Sequence, residues 1–197
     1  MNASERACAV DVAPVRAESR DDAEQVTQLL RGEPVAIEEE RDGWARIRTA
    51  YDYPGWVRAD ALERDTERSV KSSDPLTIGG DPVAEARRYL GAPYEWGGMT
   101  ERGIDCSGLV HMAYRRSGRL VPRDADQQED AGAPVARGEA RAGDLVSYGE
   151  GETATHIAFW LGDGRILHST ARDGANGVVE EREPAGLAAT RRRFFRL

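Results

Sequence analysis

The chain has only two cysteines, Cys8 and Cys106, and three histidines, His111, His156 and His168. Two thiols so far apart in sequence make no disulfide framework. So few nitrogen and sulfur donors also make a poor zinc site, and no cofactor is expected. No apolar run comes near the ~18 residues that a membrane-spanning helix needs. The N-terminal stretch MNASERACAVDVAP lacks the basic start and apolar core of a signal peptide. Lys and Arg number 27 against 35 Asp and Glu, a formal net charge of −8. An acidic chain is a poor partner for nucleic acid or an anionic membrane. Arg191-Arg192-Arg193 is a local exception, read as the end of a surface strand. The expectation is a cytoplasmic monomer with neither nucleic acid nor membrane as partner.

What is present suits a globular protein of one or two small domains: 197 residues, 40% hydrophobic and 31% charged. From Val10 to Leu62 the chain predicts short strands at Val35–Glu39 and Trp44–Thr49, with turns at Arg41-Asp42-Gly43 and Pro54-Gly55, the pattern of a small β-barrel. Residues 1–62 are assigned to this domain. Residues 63–80 are charged and rich in Ser and Gly without apolar periodicity, and read as a linker. Residues 81–197 form a second domain. Asp81-Pro82 opens a helix, as N-cap and first helical residue, and Gly91 is a stop signal. A second helix begins at Asp105 or Cys106 and ends by Gly118. Strands follow at Leu145–Tyr148, His156–Leu161, Arg165–Ser169, Val178–Glu180 and Arg193–Arg196. Helices first and an antiparallel meander after make an α+β fold.

Cys106 opens that second helix, and Cys106, Leu109, Val110 and Ala113 fall on one stripe. A thiol at a helix N-terminus meets the positive end of the dipole and unpaired N–H groups, which favour thiolate. The same position also suits a small buried core residue. Cys8, near a terminus, reads as incidental. A cysteine nucleophile needs a base and a group that orients the base. His156 begins one strand and His168 ends the next, so both can reach one surface. His111 lies about 140° round the helix from Cys106 and reads as a surface or packing residue. Face parity sets a condition. A two-residue Asp163-Gly164 turn would oppose Phe159 to His168 and send the histidines to opposite faces. A three-residue Gly162-Asp163-Gly164 loop opposes Ala158 to His168 and puts both on one face.

The stretches PYEWGG (93–98), DCSGLV (105–110), VPRDADQQ (121–128), GDLV (143–146) and HIAFWLGDGRILHS (156–169) resemble, in order, those of the NlpC-type cell-wall cysteine peptidases, a papain-like clan. LLRGEPVAI, DGWARI and GWV resemble a bacterial SH3-like domain. The resemblance implies a papain-like catalytic domain preceded by an SH3-like barrel. It implies Cys106 as nucleophile, His156 as general base and then acid, His168 as the residue orienting His156, and Tyr94 as an oxyanion donor beside the Cys106 N–H.

The resemblance also implies a substrate, a murein peptide cut between γ-D-glutamate and a diamino acid such as diaminopimelate. Asp105 would hold a free N-terminal L-alanine amine, and Ser107 would add a polar contact. Tyr53, or failing it Tyr51, would help close the amine pocket with one of Glu38, Glu39 and Glu40. Ala125 stands where many relatives carry serine. The expected role is cell-wall recycling. A secreted, wall-anchored hydrolase and an acyl transferase using the same acyl-enzyme are the alternatives.

Overall fold

The computed structural model describes residues 5–64 and 79–197. The chain divides into two compact units, Met1–Pro75 and Leu76–Leu197. The expected linker lies outside the described residues except at its ends.

The first unit is all β. Strands β1 (Glu5–Cys8), β2 (Val12–Arg16), β3 (Gln25–Leu30), β4 (Pro34–Arg41), β5 (Trp44–Thr49), β6 (Pro54–Arg58) and β7 (Leu62–Arg64) form one antiparallel sheet in the order β3-β2-β6-β5-β4-β1-β7. Every strand sends a side chain into a single core: Cys8, Val15, Leu29, Val35, Ile47, Val57 and Leu62 among them. A sheet that contributes to one core from all its strands has to curl over it, as a small barrel does. Cys8 is therefore not incidental; it is wholly buried in that core.

The β4–β5 turn is the one the sequence predicts. Asp42 and Gly43 both have positive φ, 49° and 77°, the geometry that matches hairpin twist. Pro54-Gly55 is not a turn. The chain reverses just before it, where Thr49 N–H donates to Tyr53 O and Asp52 takes φ 60°. Gly55 instead lies in β6 against β2. A Cβ there would come 2.3 Å from Val15 Cγ1, so no side chain fits.

The second unit has the predicted α+β arrangement. Its elements are α1 (Pro82–Arg87), β8 (Met99–Thr100), β9 (Gly103–Ile104), α2 (Cys106–Arg116), α3 (Ala125–Ala131), β10 (Ala133–Val135), β11 (Leu145–Tyr148), β12 (His156–Gly162), β13 (Arg165–Arg172), β14 (Ala175–Arg182), α4 (Ala185–Ala189) and β15 (Arg191–Arg196). The main sheet runs β10-β15-β11-β12-β13-β14, antiparallel throughout. Asp81 caps α1 through Val83 N–H at 3.0 Å with Pro82 at the first turn. Helix α2 packs on α1, α3, β12 and β13. It is buried nearly all round, not on one stripe, because neighbours surround it. Burying a residue such as Leu109 contributes roughly 1.5–3 kcal/mol.

Arg191-Arg192-Arg193 opens β15 and does not end a surface strand. Arg191 pairs with Glu183, while Arg192 and Arg193 pair with Glu129. Glu129 is nearly inaccessible, so the cations serve a buried carboxylate.

The β12–β13 hairpin meets the parity condition by a different route. Gly162 pairs with Arg165 across a two-residue Asp163-Gly164 turn, with φ 50° and 72°. A bulge at Leu161 then shifts the register, so that Phe159 opposes Leu167 and, continuing, Ala158 opposes His168. The extra residue sits in the strand instead of the loop, and His156 and His168 share a face.

Candidate active site

Cys106 is the first residue of α2, and Asp105 is its N-cap, accepting from Gly108 N–H at 2.6 Å. The segment before it is pinned from two sides. Tyr94 bridges to Ile104, and the Ser169 hydroxyl, next to His168, donates to Ile104 O at 2.6 Å. The backbone groups of Ile157 and Ser107 lie close enough to the Cys106 sulfur to favour its charged form, which sets the thiol beside the start of β12. Burial pushes this thiol up to about 12, and the charge on Asp105 adds to the rise; Arg123 and the two backbone groups oppose it. The expected thiolate is thus reversed in the resting site. Desolvation of this buried sulfur outweighs the helix terminus.

His156 Nε2 lies 2.8 Å from His168 Nδ1, the rings meeting edge to face. Burial pushes His156 down to about 3, and its neighbour His168 lowers it further. Burial also lowers His168, against the opposing pull of Glu181. The resting site therefore holds a neutral thiol and neutral imidazoles. Among the described residues no hydrogen bond joins Cys106 and His156; His156 bonds to His168 instead. Catalytic hydrogen bonds commonly tighten only when substrate binds.

Tyr94 is half-buried, and its phenol is raised by burial first, then by the nearby Cys106 and Asp105. It keeps its proton and can donate it in a hydrogen bond.

Asp105 and Ser107 both have partners within the protein. Asp105 is 5% exposed. Its Oδ2 accepts from Gly97 N–H at 2.7 Å and from Arg123 at 2.8 Å, and its Oδ1 from Arg123 at 3.0 Å. A buried guanidinium already balances its charge. Ser107 is likewise turned inward, donating to Asp105 and accepting from Arg123 Nη1 at 2.9 Å. Arg123 is the residue that sequence reasoning missed. Its signal was an arginine inside VPRDADQQ, a motif quoted without a role for its one cation. Gln128 of the same motif donates to Ser107 O and Pro122 O, tying α3 to the head of α2.

His111 is fully buried, with Nδ1–H donating to Val121 O at 2.8 Å, so it is a packing residue. Tyr53 lies in the first unit just ahead of β6, half-buried, its ring 6.3 Å from Tyr51. Glu38, Glu39 and Glu40 are paired there with Arg48, Arg41 and Arg6.

Comparison with known proteins agrees with both halves. Residues 91–185 match the model of the NlpC/P60 family, and residues 15–62 that of the bacterial dipeptidyl-peptidase SH3 domain. A bifunctional muramidase/DL-endopeptidase, CwlT, of Bacillus subtilis is 37% identical over 64% of this chain and 39% of its own length. A gamma-D-glutamyl-L-lysine dipeptidyl-peptidase of the same organism is 37% identical over 52% of this chain and 38% of its own length. The chain thus spans less than half the length of these curated relatives. The crystal structure of the NlpC/p60 domain of the peptidoglycan hydrolase SagA superposes with a TM-score of 0.51 at 32% identity, covering 60% of this chain and 98% of that domain. Likeness of that extent, in sequence and fold together, makes this chain a member of the NlpC/P60 family that carries a bacterial SH3 domain ahead of the family domain.

Proposed function

We propose that the chain is a peptidoglycan endopeptidase using Cys106 as nucleophile, cutting the amide between γ-D-glutamate and the diamino acid of stem peptides. The observation that carries the reaction type is the hydrogen bond between His156, at the start of β12 where the Cys106 thiol also lies, and His168 of β13. His156 takes the Cys106 proton, and the sulfur attacks the γ-carbonyl carbon. The Cys106 N–H and the Tyr94 hydroxyl donate to the oxyanion, where preorganised donors lower the barrier most. His156 returns the proton to the departing amine nitrogen. Water, deprotonated by His156, then opens the thioester. His168 orients His156 throughout and shares the charge that forms on it.

The substrate reading draws on two likenesses: an SH3 domain of the dipeptidyl-peptidase type and a relative named as a dipeptidyl-peptidase. Such an enzyme removes two residues from a free N-terminus. The proposed substrate is therefore a stem peptide with a free L-alanine amine, already released from the sugar, and the proposed role is recycling in the cytoplasm. The test is incubation with L-Ala-γ-D-Glu-diaminopimelate and L-Ala-γ-D-Glu-L-Lys peptides, each free and N-acetylated, followed by mass spectrometry. Release of L-Ala-D-Glu is expected, with acetylated forms at least ~100-fold slower, as roughly 2.7 kcal/mol of lost recognition would require. Equal rates on free and acetylated peptides would replace recycling by wall cleavage. Cleavage at any other bond would overturn the substrate assignment.

A further inference from the structure

Beyond the two histidines the hydrogen-bonded chain continues. His168 Nε2 lies 3.0 Å from Glu181 Oε1, and Arg172 Nη2 lies 2.7 Å from each Glu181 oxygen. His168 is fully buried, while Glu181 and Arg172 are partly exposed. The β13–β14 register explains how Glu181 arrives there. Val179 opposes His168 and Glu181 opposes Ile166, so Glu181 is the diagonal neighbour on the His168 face.

We propose that Glu181, held by Arg172, is a positioning residue that fixes the tautomers of both site histidines and so leaves His156 Nδ1 as the base. The inference rests on the reading of Cys106 and His156 as nucleophile and base, and deepens it. An ionised carboxylate only accepts hydrogen bonds. His168 therefore carries its hydrogen on Nε2, and its Nδ1 is a lone pair. The 2.8 Å bond between the rings then needs its hydrogen on His156 Nε2. That leaves His156 Nδ1 unprotonated, ready to take a proton from sulfur. When His156 becomes imidazolium, the carboxylate two links away compensates the charge without itself being protonated. Although burial opposes it, the hydrogen bonds from Arg172 and His168 keep Glu181 below the ordinary carboxylate range, so it is ionised throughout the neutral range. A neutral amide at 181 can turn its N–H₂ toward His168 and reverse the whole sequence, placing a hydrogen on His156 Nδ1 and abolishing the base.

The test is histidine ¹⁵N NMR of the full chain, whose three histidines allow complete assignment, combined with steady-state kinetics. Wild type is expected to show the Nε2–H tautomer at both His156 and His168. Glu181→Gln is expected to lose that signature at His168 and to lower kcat at least ~10-fold, with KM within about threefold, since a misplaced tautomer impairs the base and not substrate contacts. Arg172→Gln is expected to give a smaller fall in kcat. An Nδ1–H tautomer at His168 in wild type overturns the proposal, whether or not any variant folds. So does a folded Glu181→Gln protein with unchanged tautomers and kcat. The NMR readout uses no substrate. If no stem peptide is cleaved while the tautomers are as stated, the substrate reading fails and the Glu181 assignment stands.

Discussion

Arg123 holds Asp105 with both terminal nitrogens, 3.0 Å to Oδ1 and 2.8 Å to Oδ2, with neither residue open to solvent. The same carboxylate caps α2 through Gly108 and anchors the loop before β8 through Gly97. One ion pair thereby fixes the helix end that carries Cys106 and the segment that follows Tyr94.

Removing the cation strands a buried charge. Arg123→Met is expected to cost about 3–5 kcal/mol of stability. Arg123→Lys is expected to fall between this variant and wild type, because an ammonium cannot grip both oxygens at once. Urea unfolding checks both. Arg123→Met within about 1 kcal/mol of wild type would refute a structural role for the pair.

The two cysteines separate activity from stability. Cys106→Ala is expected to abolish turnover. Cys8→Ala is expected to keep kcat and KM near wild type while costing about 1–2 kcal/mol, since the side chain lies in the core of the first unit. Because burial raises the Cys106 thiol, its alkylation by iodoacetamide should keep accelerating as pH rises above neutral. A plateau reached by pH 6 would show a resting thiolate instead.

Acid should destabilise the fold from about neutrality downward. Burial lowers His111 and His156 from 6.5 to about 3. Between those values the unfolded chain binds protons that the folded chain refuses, so stability falls as pH falls. Two such groups give roughly 2–3 kcal/mol per pH unit between about pH 6 and 4. Burial opposes it, but hydrogen bonds from Ser147 and Arg192 lower Glu129 and those from Arg172 and His168 lower Glu181, so both add to the loss below their ordinary 4.5 as they protonate. Urea titrations at several pH values give the slope. His111→Gln, which cannot titrate, should flatten it, and an unchanged slope would remove His111 from the account.

Gly108 sits in the first turn of α2, where alanine would ordinarily favour the helix by about 1 kcal/mol. Here a Cβ would stand 2.4 Å from Gly98 O and 2.9 Å from Asp105 Oδ1, both fixed atoms. Gly108→Ala is expected to destabilise by about 1–3 kcal/mol and to impair activity by displacing the Cys106 end of the helix. A rise in Tm would show that the loop yields.

Much of the fold is written locally. Asp42-Gly43, Asp81-Pro82 and the Cys106 stripe each announce an element through short-range chemistry, and β5 and β11 have the bounds the pattern predicts. Helix α3 is different. Its sequence, ADQQEDA, has no apolar period. It is a helix because Asp124 and Gln127 form a capping box and because Gln128 and Glu129 find partners on α2, β11 and β15. Those partners are distant in sequence, so no local pattern reports them.

The sequence by itself determined where the thiol stands, at the start of a helix behind an aspartate, and which two of the three histidines could serve it. Only the tertiary structure decided the rest. A bulge at Leu161 brought His156 and His168 to one face. Arg123, arriving from another segment, balanced Asp105. Enclosure made the resting thiol and imidazoles neutral. The physical reason is common to all three. Capping and periodicity depend on residues within a turn or two, whereas register, ion pairing and desolvation depend on what the folded chain places alongside.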